Sequence, residues 1–234
     1  MELSADLEEG AVAGALPDRA LRCFPAVVST EAVALDWVRD DAPSGGVVVA
    51  GYQISPRGRA GWPWTLQADR GVAFSLVLRV RLPMAREGWL YTVATCGLAD
   101  MAGPGAEISW PDEVHRDGRR IAAVGIQADL SPRQHWAVLT MLLADAEPPR
   151  APAIAAAVSA IEARLAAEPE AVISDHRERC RTLGVRLRAR MLPDGEVSGL
   201  AVGTLRDGAL LIETAEQRRM AILPQGLAEW HEEG

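Results

Sequence analysis

Residues 107–123 read EISWPDEVHRDGRRIAA, and the interpretation of this stretch decides the fold. Trp110 and Pro111 are followed by two adjacent acids, Asp112 and Glu113, and then by Arg119 and Arg120. Strands are predicted on either side, around Glu107 to Trp110 and from Arg120 to Leu130. Arginine holds phosphate through a bidentate fork, whereas neighbouring carboxylates oppose it. The stretch therefore looks like a phosphate-handling site in which several characters have been replaced.

The rest of the chain limits what such a site can serve. With 234 residues and 49% apolar content, one substantial domain and a small appendage can be built. No apolar run is long enough to cross a membrane, and the start, MELSADLEEG, carries acids where a secretion signal carries basic residues. A cytoplasmic location is expected. Cys23, Cys96 and Cys180 lie far apart with no paired spacing, which supports neither a disulfide framework nor a zinc site. A net charge of -8 argues against a broad nucleic-acid or anionic-membrane surface, so any phosphate must be held locally. The chain contains no lysine and no asparagine, and all 24 of its basic residues are arginine. Codon bias explains this more simply than selection. Chemistry that needs a lysine as base or nucleophile is excluded either way, because arginine does not give up its proton.

After a leader expected to be loose, Ser29 and Thr30 cap a predicted helix over 31–39. VVVAGYQI (47–54) and GVAFSLVLRVRL (71–82) read as buried strands joined by a loop rich in glycine, arginine and tryptophan. A core helix is predicted over 86–102, a further strand from His135 to Ala144, and two helical segments up to Gly184. Beyond Gly184, period-two alternation and the Asp-Gly turns of PDGE and RDGA predict five short strands in an SH3-like barrel. The expected organisation is thus an α+β fold with domains at 1–183 and 184–234. In the loop GYQISPRGRAGWPW, glycines allow close backbone approach to an anion and Arg57 and Arg59 supply charge. A solvated surface hairpin explains that segment equally well when it is taken alone.

Taken in order, ST at 29–30, YQ at 52–53, RGRAGWPW at 57–64, SWPDEV at 109–114 and DGRRIA at 117–122 resemble the catalytic domain of biotin protein ligases, within the wider biotin/lipoate ligase group. The segment after Gly184 is similar to that family's C-terminal SH3-like domain. The resemblance implies a mixed-sheet catalytic domain and a two-step reaction. ATP and Mg²⁺ activate biotin, or a lipoate-like acid, as its adenylate, and an acceptor protein's lysine takes the acyl group. By position, it implies that Ser29, Thr30 and Gln53 contact the acid. Arg57, Gly58, Arg59, Gly61 and Trp64 form the phosphate loop, Trp110, Pro111 and Asp112 belong to the second motif, and Arg120 is a further phosphate-holding residue.

The departures fall mainly on the phosphate side. Pro56 replaces the first loop glycine, Ala60 and Trp62 replace loop basics, and Ser109 stands where the family has lysine. Asp112 and Glu113 replace asparagine and aspartate, Ala123 replaces a glycine, and the family's glycine-containing strand is absent from HWAVLTMLLAD. Losing a positive charge that stabilises a phosphoryl transition state costs about 3–4 kcal/mol. Two readings compete: an adenylate-forming enzyme in which Asp112 or Glu113 has turned toward Mg²⁺, and a non-catalytic relative that keeps the pocket as a binding or regulatory module. The four histidines show no metal spacing, Cys96 reads as core, and Trp62, Trp64 and Trp110 are candidate pocket walls or core. The roughly 25 acidic-leaning residues before the ligase-like region are too few for a winged helix, so no DNA-binding reading is supported.

Overall fold

The computed structural model describes residues 4–66 and 70–233, so three residues of the arginine-tryptophan loop, 67–69, lie outside the described residues. Along the chain run α1 (Glu9–Ala15), β1 (Leu21–Val27), α2 (Thr30–Arg39), β2 (Val47–Gln53), β3 (Val72–Arg79), α3 (Glu87–Ala102), β4 (Glu107–Ser109), β5 (Glu113–Arg116), β6 (Arg119–Asp129) and β7 (Trp136–Leu143). Then follow α4 (Ala151–Ala166), α5 (Pro169–Arg179), β8 (Arg186–Met191), β9 (Glu196–Thr204), β10 (Leu210–Glu213), β11 (Arg219–Ile222) and β12 (Leu227–Glu232). The chain forms two compact units, Met1–Met84 with Arg120–Ala160, and Ala85–Arg119 with Ile161–Gly234. The grouping differs from a simple division at Gly184: the residues after it belong with 85–119 and 161–183. None of the helices among the described residues is long and apolar enough to cross a membrane.

In the first unit the strand order is β1-β2-β3-β7-β6, with β1 parallel to β2 and the remaining pairs antiparallel. β3 and β7 are buried almost throughout, which explains their near-continuous apolar sequences. α2 covers part of one face, packing Ala34, Trp37 and Val38 against Val48, Val77 and Val138. The leader is not loose. Leu7, Val12 and Leu16 are buried, and Asp6 takes hydrogen bonds from the Arg150 backbone N–H, Nε and Nη2, each at 2.8 Å. A short acidic segment was expected to stay solvated, but three apolar contacts and a charge-assisted clamp outweigh its ordering entropy.

In the second unit α3 buries every residue from Gly88 to Ala99, as its evenly apolar sequence requires. Arg164 donates to both Asp100 and Asp175, and Arg179 donates to Asp100, fastening α3 to the neighbouring helices. β4 and β5 form a short hairpin pairing Ser109 with Glu113. The C-terminal strands form a separate antiparallel sheet in the order β11-β10-β9-β8-β12. This is the predicted small β-unit, but β11 and β12 remain its two edges, so the barrel is not closed.

Candidate functional site

The first unit gathers a connected set of buried polar side chains on one face of its sheet. Ser29 is the N-cap of α2, and its Oγ accepts the Ala32 N–H at 3.1 Å. The next residue, Thr30, donates its backbone N–H to Gln53 Oε1 at 2.9 Å and its hydroxyl to the same oxygen at 3.4 Å. Gln53 Nε2 donates to the Ala73 carbonyl at 2.8 Å, leaving its second N–H available. Ser75 Oγ donates to Thr30 Oγ1 at 3.0 Å and lies 2.8 Å from Thr140 Oγ1. Thr30, Ser75 and Thr140 are at most 1% exposed and Gln53 is 6% exposed, so the network sits in a low-dielectric setting where each bond matters.

The register explains how these groups meet. Ser75 pairs with Thr140 across β3 and β7, and Thr140 pairs with Gly125 across β7 and β6. Alternation therefore sets Ser75, Thr140 and Gly125 in one row and Ala73, Leu142 and Ala123 in the next row on the same face. Trp64, only 8% exposed, packs on the second row against Ala73, Ala123 and Leu142. Ser75 and Thr140 are the single hydroxyls of β3 and β7, whose other residues are apolar except Arg79. That was the available signal for residues missed in the sequence.

The arginine-glycine loop folds back on itself over this face. Gly58 N–H donates to Trp62 O at 2.8 Å, Trp64 N–H to Pro56 O at 2.9 Å, and Arg57 Nη1 to Gly61 O at 2.8 Å. Arg59 to Gly61 form one 3-10 turn, with Ala60 at φ 53 and Gly61 at φ 73. Gly61 suits this left-handed position, while Ala60 occupies it at a strain of order 1 kcal/mol. Arg57 is exposed and Arg59 half-buried. Glu31, in the first turn of α2, was also missed: burial raises its carboxyl above the usual range and the Arg57 charge partly opposes that shift. Arg120 is exposed near the start of β6, and strand alternation directs its Cβ to the face opposite Ala123 and Gly125.

In the second unit, Trp110 is 2% exposed and belongs to the core of the C-terminal sheet with Leu187, Ala201, Leu210 and Ile212. Its Nε1–H donates to Gly208 O at 2.9 Å, its backbone N–H to Thr182 Oγ1 at 3.0 Å, and its carbonyl accepts Trp230 Nε1–H at 2.8 Å. This tryptophan is thus a structural tie, with its polar edge already satisfied and Pro111 buried beside it. Asp112 and Glu113 are partly exposed, and Glu113 Oε2 lies 2.9 Å from His115 Nε2. Among the described residues no group of three or more His, Cys, Asp or Glu side chains could hold a metal ion by itself. Mg²⁺ brought in with a nucleotide needs only one or two carboxylates.

No protein-family profile matches the chain. The bifunctional ligase/repressor BirA of Bacillus subtilis is 32% identical over 106 residues, covering 44% of this chain and 32% of that protein. The chain thus spans about a third of the curated relative's length. The biotin protein ligase of Aquifex aeolicus, solved with biotin and ATP, superposes with a TM-score of 0.70 at 20% identity, covering 92% of this chain and 99% of that one. A biotin protein ligase-like protein of unknown function from a Silicibacter species superposes with a TM-score of 0.64 at 16% identity, over 87% of this chain and 95% of that one. The chain thus shares the fold of biotin protein ligases over most of its length and is similar in sequence to a bifunctional ligase/repressor over 44% of it.

Proposed function

We propose that the first unit binds biotin or a related small carboxylic acid, lipoate among them, and that the chain forms the acyl adenylate only slowly because its phosphate-handling residues are depleted. The observation carrying this reading is the retained Ser29-Thr30-Gln53 set, built into one buried hydrogen-bonded network with Ser75 and Thr140. Such a network fixes the orientation of the side chains that would meet a polar ligand, so little ordering entropy is lost on binding. The relative solved with biotin and ATP supports both as the ligand classes to test.

The phosphate side is weaker. Arg57 donates to a carbonyl of its own loop and lies within electrostatic reach of Glu31. Ser109 brings no charge where a ligase has lysine, and Asp112 adds a negative one. Bound ATP would supply the phosphorus centre that the acid's carboxylate attacks. Arg57 and Arg59 would hold the phosphate oxygens, and Asp112 or Glu113 would bind Mg²⁺. An acceptor carrier protein would be the partner of a working enzyme.

The second reading, a binding or regulatory module without catalysis, is favoured by Thr140 and Leu142. These buried side chains stand on the strand where the resembling family carries glycine. One assay separates the two. The protein is incubated with biotin or lipoate, ATP and Mg²⁺, and pyrophosphate release is measured for the natural chain and for Ser109→Lys with Asp112→Asn. Slow release that the double substitution raises supports the proposed ligase. Release absent from both favours the binding module, and robust release from the natural chain contradicts the depleted-site reading.

A further inference from the structure

The second unit holds a cavity of about 610 Å³, lined by Arg86, Pro169, Glu170, Leu205, Arg206 and Asp207. It contains none of the residues proposed above to hold the acid or the phosphate, and its volume is within the roughly 300–1,000 Å³ usual for small-molecule sites. Its walls come from the N-cap of α3, the first turn of α5 and the turn between β9 and β10. These elements are tied together. A Cβ added at Gly88 would lie 2.5 Å from Asp207 O, and one added at Gly208 would overlap the Gly88 carbonyl, so α3 and the turn meet backbone to backbone. Trp110 Nε1–H holds the same turn at Gly208 O, and Arg177 on α5 donates its Nε–H to Thr204 O at 3.2 Å. Walls tied in this way are preorganised, so little ordering entropy is lost on binding.

The four charges on the cavity divide into two sets. Arg206 Nη2 pairs with Glu170 Oε1 at 2.9 Å, and both side chains are exposed, so this pair contributes little and separates readily. Arg86 and Asp207 are half-buried, and among the described residues no ion pair engages either of them. Arg86 lies over the Trp89 ring, 5.2 Å from its centroid, and uses one N–H on the Arg206 carbonyl at 3.4 Å. Asp207 Oδ1 accepts the Ala209 N–H at 3.1 Å, which leaves its second oxygen open. A guanidinium and a carboxylate thus line one cavity without meeting each other. A purely acidic ligand would gain from Arg86 and lose against Asp207, and a purely cationic one the reverse. A molecule with both charges satisfies both groups, and Pro169 and Leu205 offer apolar wall to the rest of it. We propose that this cavity binds a zwitterion of the α-amino-acid class with an apolar side chain, its carboxylate on the Arg86 guanidinium and its ammonium on the Asp207 carboxylate.

L-leucine and L-phenylalanine are the probes, titrated into the natural protein by calorimetry and followed by NMR. At least one is expected to bind and to shift both the Arg86 Nε–H and the Ala209 amide, the latter reporting on Asp207. Matched molecules that keep only one charge are isocaproate and isoamylamine for leucine, and hydrocinnamate and phenethylamine for phenylalanine. Each is expected to bind about tenfold more weakly than its parent, because it forgoes one charge-assisted contact. Two substitutions locate the site. Arg86→Met keeps an apolar stem over Trp89, and Asp207→Asn keeps an acceptor for the Ala209 N–H, so both preserve the local packing. Each is expected to weaken amino-acid binding about tenfold. Failure of both amino acids to bind, single-charge molecules that bind as tightly as their parents, or natural affinity in either folded variant would overturn the proposal. Should Arg86→Met fail to fold, Asp207→Asn decides. None of these readings involves biotin or ATP, so loss of the function proposed above would leave this site standing, and the reverse.

Discussion

The two segments that carry the ligase resemblance have fared differently. Around Ser29, Thr30 and Gln53 the matching residues persist, and the fold surrounds them with additional partners, so that the Gln53 carboxamide is held on both its oxygen and its nitrogen. Around residues 109–116 the matching residues that persist, Trp110 and Pro111, are those with a packing role, while the charged positions have changed. Trp110 fills the core of the C-terminal sheet and uses three hydrogen bonds to do so. A residue can thus stay matched to a catalytic motif for reasons of stability. The chemistry of the motif must be argued from the groups that carry charge.

If this contrast is right, damage to the two segments should have different consequences. The largest effect is expected from Trp110→Ala, which removes a fully buried indole and orphans the Gly208 carbonyl. Destabilisation of about 4 kcal/mol is expected in urea titration, with biotin affinity of the folded fraction unchanged. A specific loss of biotin binding with stability retained would show that Trp110 is a ligand residue after all.

A second effect arises from pH. Burial lowers the His176 pKa to about 4, so the folded state resists the proton that the unfolded chain takes up near 6.5. Stability is unaffected above pH 6.5, falls as the pH drops through that window, and levels off below about 4. Between pH 7 and 4.5 the cost is about 2–3 kcal/mol, and His176→Met should abolish most of it. Asp6 acts in a different window. Its carboxyl is held far below the usual range by Arg150, so its stabilisation is present above about pH 4 and is lost only in stronger acid. Equal pH slopes in the natural chain and His176→Met would refute the assignment to His176.

In the first unit, Gln53→Leu strands the Thr30 N–H and the Ala73 carbonyl. About 2–3 kcal/mol of stability and measurable biotin binding should be lost together. Thr140→Val, nearly the same shape, should cost only about 1 kcal/mol. Retained biotin affinity in Gln53→Leu would separate the network from the ligand site and collapse the contrast.

Much of this architecture is legible in the sequence because it is local. The strands over 47–53, 72–79 and 136–143, the helix over 87–102 and the turns after Gly184 all follow from periodicity and turn chemistry. What escaped depends on pairing between distant segments. Ser75 and Thr140 are single hydroxyls in apolar strands, and only the register makes them partners. Gly125 is an ordinary strand glycine until the loop is seen to cross it. The leader folds because Arg150, 144 residues away from Asp6, clamps it. β5 is four residues long, too short for an alternation to be recognised.

The central claim, an acid site retained beside a depleted capacity for phosphate, is tested most directly by titration calorimetry with biotin, lipoate and ATP added separately to the natural protein. Measurable binding of one acid, tighter than that of ATP, is the expected result. ATP bound more tightly than either acid would contradict the account.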